Sequence, residues 1–114
     1  MCGIAGFLGY GGLLPGAVND VASRMGDAIR HRGPDNADIW CDEAAQVALT
    51  HRRLSILDLS AAGHQPMVSS SGRYAMVFNG EIYNHLELRA TLEGASAGGV
   101  AEMAWRGHSD TETL

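Results

Sequence analysis

Glycine fills 15 of the 114 positions, roughly twice its usual share. That favours tight turns and close backbone approaches over long helices, and the apolar pattern agrees. Residues 2–9 (CGIAGFLG) form a short apolar run between glycines, as in a buried strand. Over 17–31, Val18, Val21, Ala22, Met25, Ala28 and Ile29 recur at helical spacing. This helix is expected to stop at the turn Arg32-Gly33-Pro34-Asp35. Short strands are expected at 37–40 and 46–50, with extended chain over 54–57 and a loop over 60–72. A strand over 74–78, a helix over 84–93 and a flexible surface connection over 94–99 (GASAGG) complete the pattern. Strands, helix and strands again point to an α+β layered fold, and the length suits one domain with a modest core.

The composition narrows the function classes. Net charge is −5, and no run of Lys or Arg forms a phosphate-binding footprint, so no nucleic-acid partner is expected. No basic residue precedes the N-terminal apolar stretch, and no stretch is long enough to span a bilayer, so neither secretion nor a membrane is expected. Cys2 and Cys41 then read as reduced thiols in the cytoplasm. The five histidines lack paired ligand spacing, so no metal site is expected. No glycine-rich phosphate loop occurs, so no nucleotide cofactor is expected in this chain.

Cys2 stands directly after the initiator Met. Removal of Met1 would put a thiol and an α-amine of pKa about 7.7–8.0 on one residue, nucleophile and base together. The alternative is a small hydrophobe in a strand. Asn79-Gly80 has two readings: the favoured pair of a type I′ hairpin turn, or an oxyanion hole made of a side-chain amide and a backbone N–H. Arg53 offers a planar fork for a carboxylate and Asp110 a partner for an ammonium group, although Arg52 beside Arg53 leaves the assignment open by spacing. Ser109-Asp110-Thr111-Glu112 has the form of a capping box two residues before Leu114. A helix announced but not continued suggests the front part of a longer domain.

Several segments occur in a telling order: Met-Cys-Gly-Ile-Ala-Gly at 1–6, His-Arg-Gly-Pro-Asp at 31–35, His-Arg-Arg-Leu-Ser-Ile-Leu-Asp at 51–58, Gln65-Pro66, Phe-Asn-Gly-Glu-Ile-Tyr-Asn at 78–84 and Gly-His-Ser-Asp-Thr-Glu at 107–112. Together they resemble the N-terminal glutaminase domain of glutamine-dependent asparagine synthetases, of the N-terminal nucleophile hydrolase superfamily. The resemblance implies a four-layer α/β/β/α sandwich of antiparallel sheets, of which residues 1–114 are the first portion. It implies Cys2 as nucleophile, Asn79 and Gly80 as oxyanion hole, Arg53 on the carboxylate of L-glutamine and Asp110 on its ammonium. Leu54, Ile56, Glu81 and Ser109 fall where the family lines the glutamine pocket. A synthetase domain using ATP and magnesium is implied beyond this chain, while the sequence leaves open whether the protein is a homo-oligomer. Isolated, the chain is expected to turn over weakly or not at all. The alternatives are an amidotransferase with another acceptor (a polysaccharide carboxylate, or the glucosamine-6-phosphate synthase type) and a non-catalytic glutamine-binding module.

Overall fold

The computed structural model describes residues 2–54, 63–96 and 105–114. Their elements are β1 (Gly3–Leu8), α1 (Ala17–Ala28), a 3₁₀ turn (Arg30–Arg32), β2 (Asn36–Asp42) and β3 (Val47–Arg53). After them come β4 (Met67–Val68), β5 (Ala75–Met76), α2 (His85–Ser96) and a 3₁₀ turn at Asp110–Thr113. Helices with antiparallel sheets make the chain α+β. It divides into two compact units, the first made of residues 1–59 and 64–79 and the second of residues 60–63 and 80–114.

In the first unit β3 lies between β1 and β2 and is antiparallel to both. Successive strand residues point to opposite faces. Gly3, Ala5 and Phe7 therefore share a face with their partners Arg52, Thr50 and Ala48, and with Ile39 and Cys41 of β2. Helix α1 covers this face. Val18, Ala22 and Ala48 are fully buried, and Phe7, Leu13, Ile39 and Cys41 pack against them. Full burial of a side chain the size of Val18 contributes about 1.5–3 kcal/mol. Arg52 fastens the helix C-terminus: its Nε donates to Gly26 O at 2.9 Å, and its guanidinium pairs with Asp27. A cation is favoured at that end of a helix.

The hairpin between β2 and β3 turns at Gln46, whose φ is 52°. Its carbonyl accepts Gly9 N–H at 2.7 Å, and its side chain accepts Gly11 N–H at 2.9 Å and donates to Leu13 O at 3.0 Å. One side chain thus pins the segment that leaves β1.

Several expectations are corrected. The helix expected over 17–31 ends at Ala28, and the chain tightens to i→i+3 bonds, with Arg32 N–H on Ile29 O at 3.0 Å. The loop expected over 60–72 contains β4, its two apolar residues paired with β5 in the register Met67↔Met76 and Val68↔Ala75. The strand expected over 74–78 is reduced to Ala75–Met76. Helix α2 runs on through Gly94 to Ser96, into the expected flexible connection. Residues 55–57 and 97–99 lie outside the described residues.

In the second unit the capping box does not form. Ser109 makes no side-chain cap bond. Glu112 instead reaches back to accept Arg106 N–H at 2.6 Å and Gly107 N–H at 3.0 Å. Burial opposes its ionisation, yet these two N–H groups, with Arg89 and Arg106, hold the carboxyl below its usual range.

Gly33 shows why the turn after α1 takes glycine. Its φ of −157° is open to any residue, but a Cβ there would collide with the backbone carbonyl of Arg52. Gly33→Ala is expected to lower the unfolding free energy by about 1–3 kcal/mol, measured by urea denaturation. A variant as stable as the parent would mean that β3 can recede at no cost.

Candidate active site

Pairing of Gly3 with Arg52 carries Cys2 to the end of β1, beside the residue that follows β3. There the half-buried thiol meets Leu54: Sγ accepts Leu54 N–H at 3.4 Å and lies 3.9 Å from Leu54 O. Both cysteines are free. Cys41 packs against the core under α1, which is the ordinary fate of a small hydrophobe.

Asn79 closes on Cys2 from the far end of the first unit. Its Nδ2 donates to Cys2 O at 3.0 Å across 77 positions of sequence. A carboxamide carries two N–H donors, so one remains beyond this bond. The hairpin-turn reading of Asn79-Gly80 fails, because a type I′ turn needs positive φ at both central residues. Among the described residues, Gln46 is the only non-glycine residue with positive φ. The strand before Asn79 pairs instead with β4.

The pleat of β3 separates the two arginines that spacing could not. Arg52 faces α1 and is engaged there. Arg53 points to the opposite face, in register with Asn36 and two residues from His51. On that face Asn36, Asp38, His51, Arg53, His64 and Gln65 line one narrow cleft. His64 lies between two β2 side chains, with Nδ1 3.2 Å from Asp38 and Nε2 2.8 Å from Asn36 Nδ2. His51 is 3% exposed, and its Nε2 has no hydrogen-bond partner among the described residues. Burial, then the charges of Arg53 and His64, hold its pKa below the usual imidazole value. Leu54 is half-buried beside Cys2, and Ile56 lies outside the described residues.

Gly80, Glu81, Ser109 and Asp110 belong to the second unit. Glu81 is exposed. Asp110 accepts Ile82 N–H at 2.7 Å on one oxygen and Thr111 N–H at 2.8 Å on the other. The carboxylate is thereby fixed to the backbone of Ile82, the residue that follows Glu81, with lone pairs to spare. Arg89 of α2, only 7% exposed, holds the chain that carries Asp110. It donates to Gly107 O at 2.8 Å, Ser109 O at 2.6 Å and Thr113 Oγ1 at 3.0 Å, and stacks 4.3 Å from the Trp105 ring centre. Arg89 was missed by sequence reasoning, since a single arginine on a helix gives no signal. His64 and Asp38, distant in sequence, gave none either.

The structure thus joins Cys2, Leu54 and Asn79 in one unit, with Arg53 next to Leu54 in the chain, and joins Asp110 with the Glu81–Ile82 segment in the other. A roomier depression of about 300 Å³ lies on the α1 side of the sheet, by Asn19, Ser23 and Arg52. It is on the face opposite Arg53, and Cys2 is not among the residues that line it. Among the described residues no cluster of His, Cys, Asp and Glu is placed to hold a metal ion. No described helix is long and apolar enough to cross a membrane.

The sequence matches the family described as "Glutamine amidotransferase domain" over residues 1–114. Similar proteins include a probable asparagine synthetase (glutamine-hydrolyzing) of Schizosaccharomyces pombe, 44% identical over 68% of this chain and 14% of that protein. Asparagine synthetase (glutamine-hydrolyzing) 1 of Bacillus subtilis is 37% identical over 100% of this chain and 17% of its own length. The amidase chry2 of Gibberella zeae is 36% identical over 100% of this chain and 17% of its own length. The chain therefore spans a fifth or less of each of these relatives. Since the family match takes in both units and every residue singled out above, the chain belongs to the glutamine amidotransferase domain family.

Proposed function

We propose that this chain hydrolyses L-glutamine to glutamate and ammonia as the leading part of an asparagine synthetase, whose synthetase domain amidates aspartate with that ammonia. The observation that carries the reading is the 3.0 Å bond from Asn79 Nδ2 to Cys2 O. It holds an amide donor on the very residue whose thiol would attack. The names of the Schizosaccharomyces and Bacillus relatives favour the same reading.

In this mechanism Met1 is removed and the α-amine of Cys2 takes the thiol proton. The thiolate attacks the glutamine side-chain carbon, and the carbonyl electrons move onto oxygen. Asn79 and the Gly80 N–H hold that oxyanion. Its collapse breaks the C–N bond, and the amine's proton leaves with the nitrogen as ammonia. Water then adds to the thioester through a second oxyanion, releasing glutamate and the thiol. Arg53 grips the substrate α-carboxylate through its planar fork. Asp110 holds the α-ammonium, and Leu54, Ile56, Glu81 and Ser109 are assigned to recognition of the rest of the substrate. The complete domain is a four-layer α/β/β/α sandwich. ATP and magnesium, which activate the acceptor, belong to the synthetase domain, and no residue described here is assigned to them.

Three outcomes are expected in the full-length protein. Cys2→Ala abolishes asparagine formation from glutamine and leaves formation from ammonia intact; surviving glutamine-dependent synthesis would remove Cys2 from the reaction. Arg53→Lys raises the glutamine KM more than it lowers kcat, because a fork becomes a point charge. Arg52→Lys leaves KM unchanged and lowers stability through α1. If the KM effects were exchanged, the carboxylate anchor would be Arg52.

A further inference from the structure

We infer that Gln65 is a positioning residue for the oxyanion hole: its side-chain carbonyl sets the backbone from which Asn79 reaches Cys2. The inference rests on the proposed role of Asn79.

The β4–β5 ribbon ends at the pair Met67↔Met76. Continuing that register outward puts Gln65 opposite Phe78. Pro66 has no N–H to extend the ladder. The side chain of Gln65 takes over: Oε1 accepts the N–H of Phe78 at 2.6 Å. Gln65 is 8% exposed, so the bond is sheltered from competing water. The next residue is Asn79, whose amide donates to Cys2 O.

Gln65 is fixed from behind as well. Its neighbour His64 contacts Asp38 and Asn36, two side chains of β2. A continuous set of contacts therefore runs from β2 through His64-Gln65 to Phe78-Asn79, and from there to the nucleophile at the end of β1. Asn79 is exposed, and neither β4 nor β5 reaches it. Without the Gln65 bond, the last backbone ladder contact before Asn79 would be that of Met76. An amide aimed at a developing oxyanion tolerates little drift, since a displacement of about 1 Å can cost roughly 100-fold in rate.

The test is a double-mutant cycle of glutaminase kinetics in the full-length protein, with Gln65→Leu, Asn79→Ala and the pair. Gln65→Leu keeps the shape and removes the acceptor. It is expected to lower kcat by roughly 10- to 100-fold with the glutamine KM changed by less than about twofold, as for an interaction that acts mainly in the transition state. In the Asn79→Ala background it is expected to lower kcat by less than about twofold further, because its effect passes through the missing amide. Alkylation of Cys2 by iodoacetamide, which forms no oxyanion, should keep its rate. A Gln65→Leu variant with parental kcat would overturn the inference. So would an equal loss in the Asn79→Ala background, or slowed alkylation, either of which would indicate a general structural role. A parental kcat in Asn79→Ala alone would instead remove the reading of Asn79, and the inference with it.

Discussion

The antiparallel pairing of β1 with β3 is the constraint on which the rest depends. Gly3 opposite Arg52 fixes how far β1 extends, and Cys2 arrives at the strand end where its thiol meets Leu54. A shift of one residue would send every β1 side chain to the other face. Phe7 would leave the core under α1, and the outward Ile4 and Leu8 would enter it. The packing of Val18, Ala22 and Ala48 therefore sets the position of a residue it does not touch.

The same pleat divides the labour of β3. On one face Arg52 ties the C-terminus of α1 to the sheet. On the other, His51 and Arg53 join Asn36, Asp38 and His64 around a narrow polar cleft. Stability is served on the α1 side, and the chemistry proposed here belongs to the other side and to the strand ends. Gly33 links the two, since the absence of its Cβ lets the turn after α1 lie against the carbonyl of Arg52.

Much of this was legible in the sequence where the signal was periodic. The strand at 2–9, the helix from Ala17 and the pair of strands before Leu54 follow from apolar spacing. The two-residue β4 and β5 did not, because an element that short has no period to show. The capping box misled because the Glu112 carboxylate is taken up by the N–H groups of Arg106 and Gly107. Cys2 stood out by its place beside Met1, while Asn79-Gly80 by itself spoke for a turn. That Asn79 meets Cys2 across 77 positions is tertiary information that no local pattern carries. The same holds for Gln65, Arg89 and the Asp38–His64 pair, whose partners are distant in sequence.

The central claim is that the thiol at the end of β1 is the nucleophile and that its surroundings recognise glutamine. The most direct measurement is the intact mass of the full-length protein before and after treatment with a glutamine-like electrophile, with the labelled peptide mapped. Loss of Met1 and a single adduct on Cys2, blocked by excess glutamine and absent from Cys41, is the expected result. Retention of Met1, or an adduct chiefly on Cys41, would contradict it.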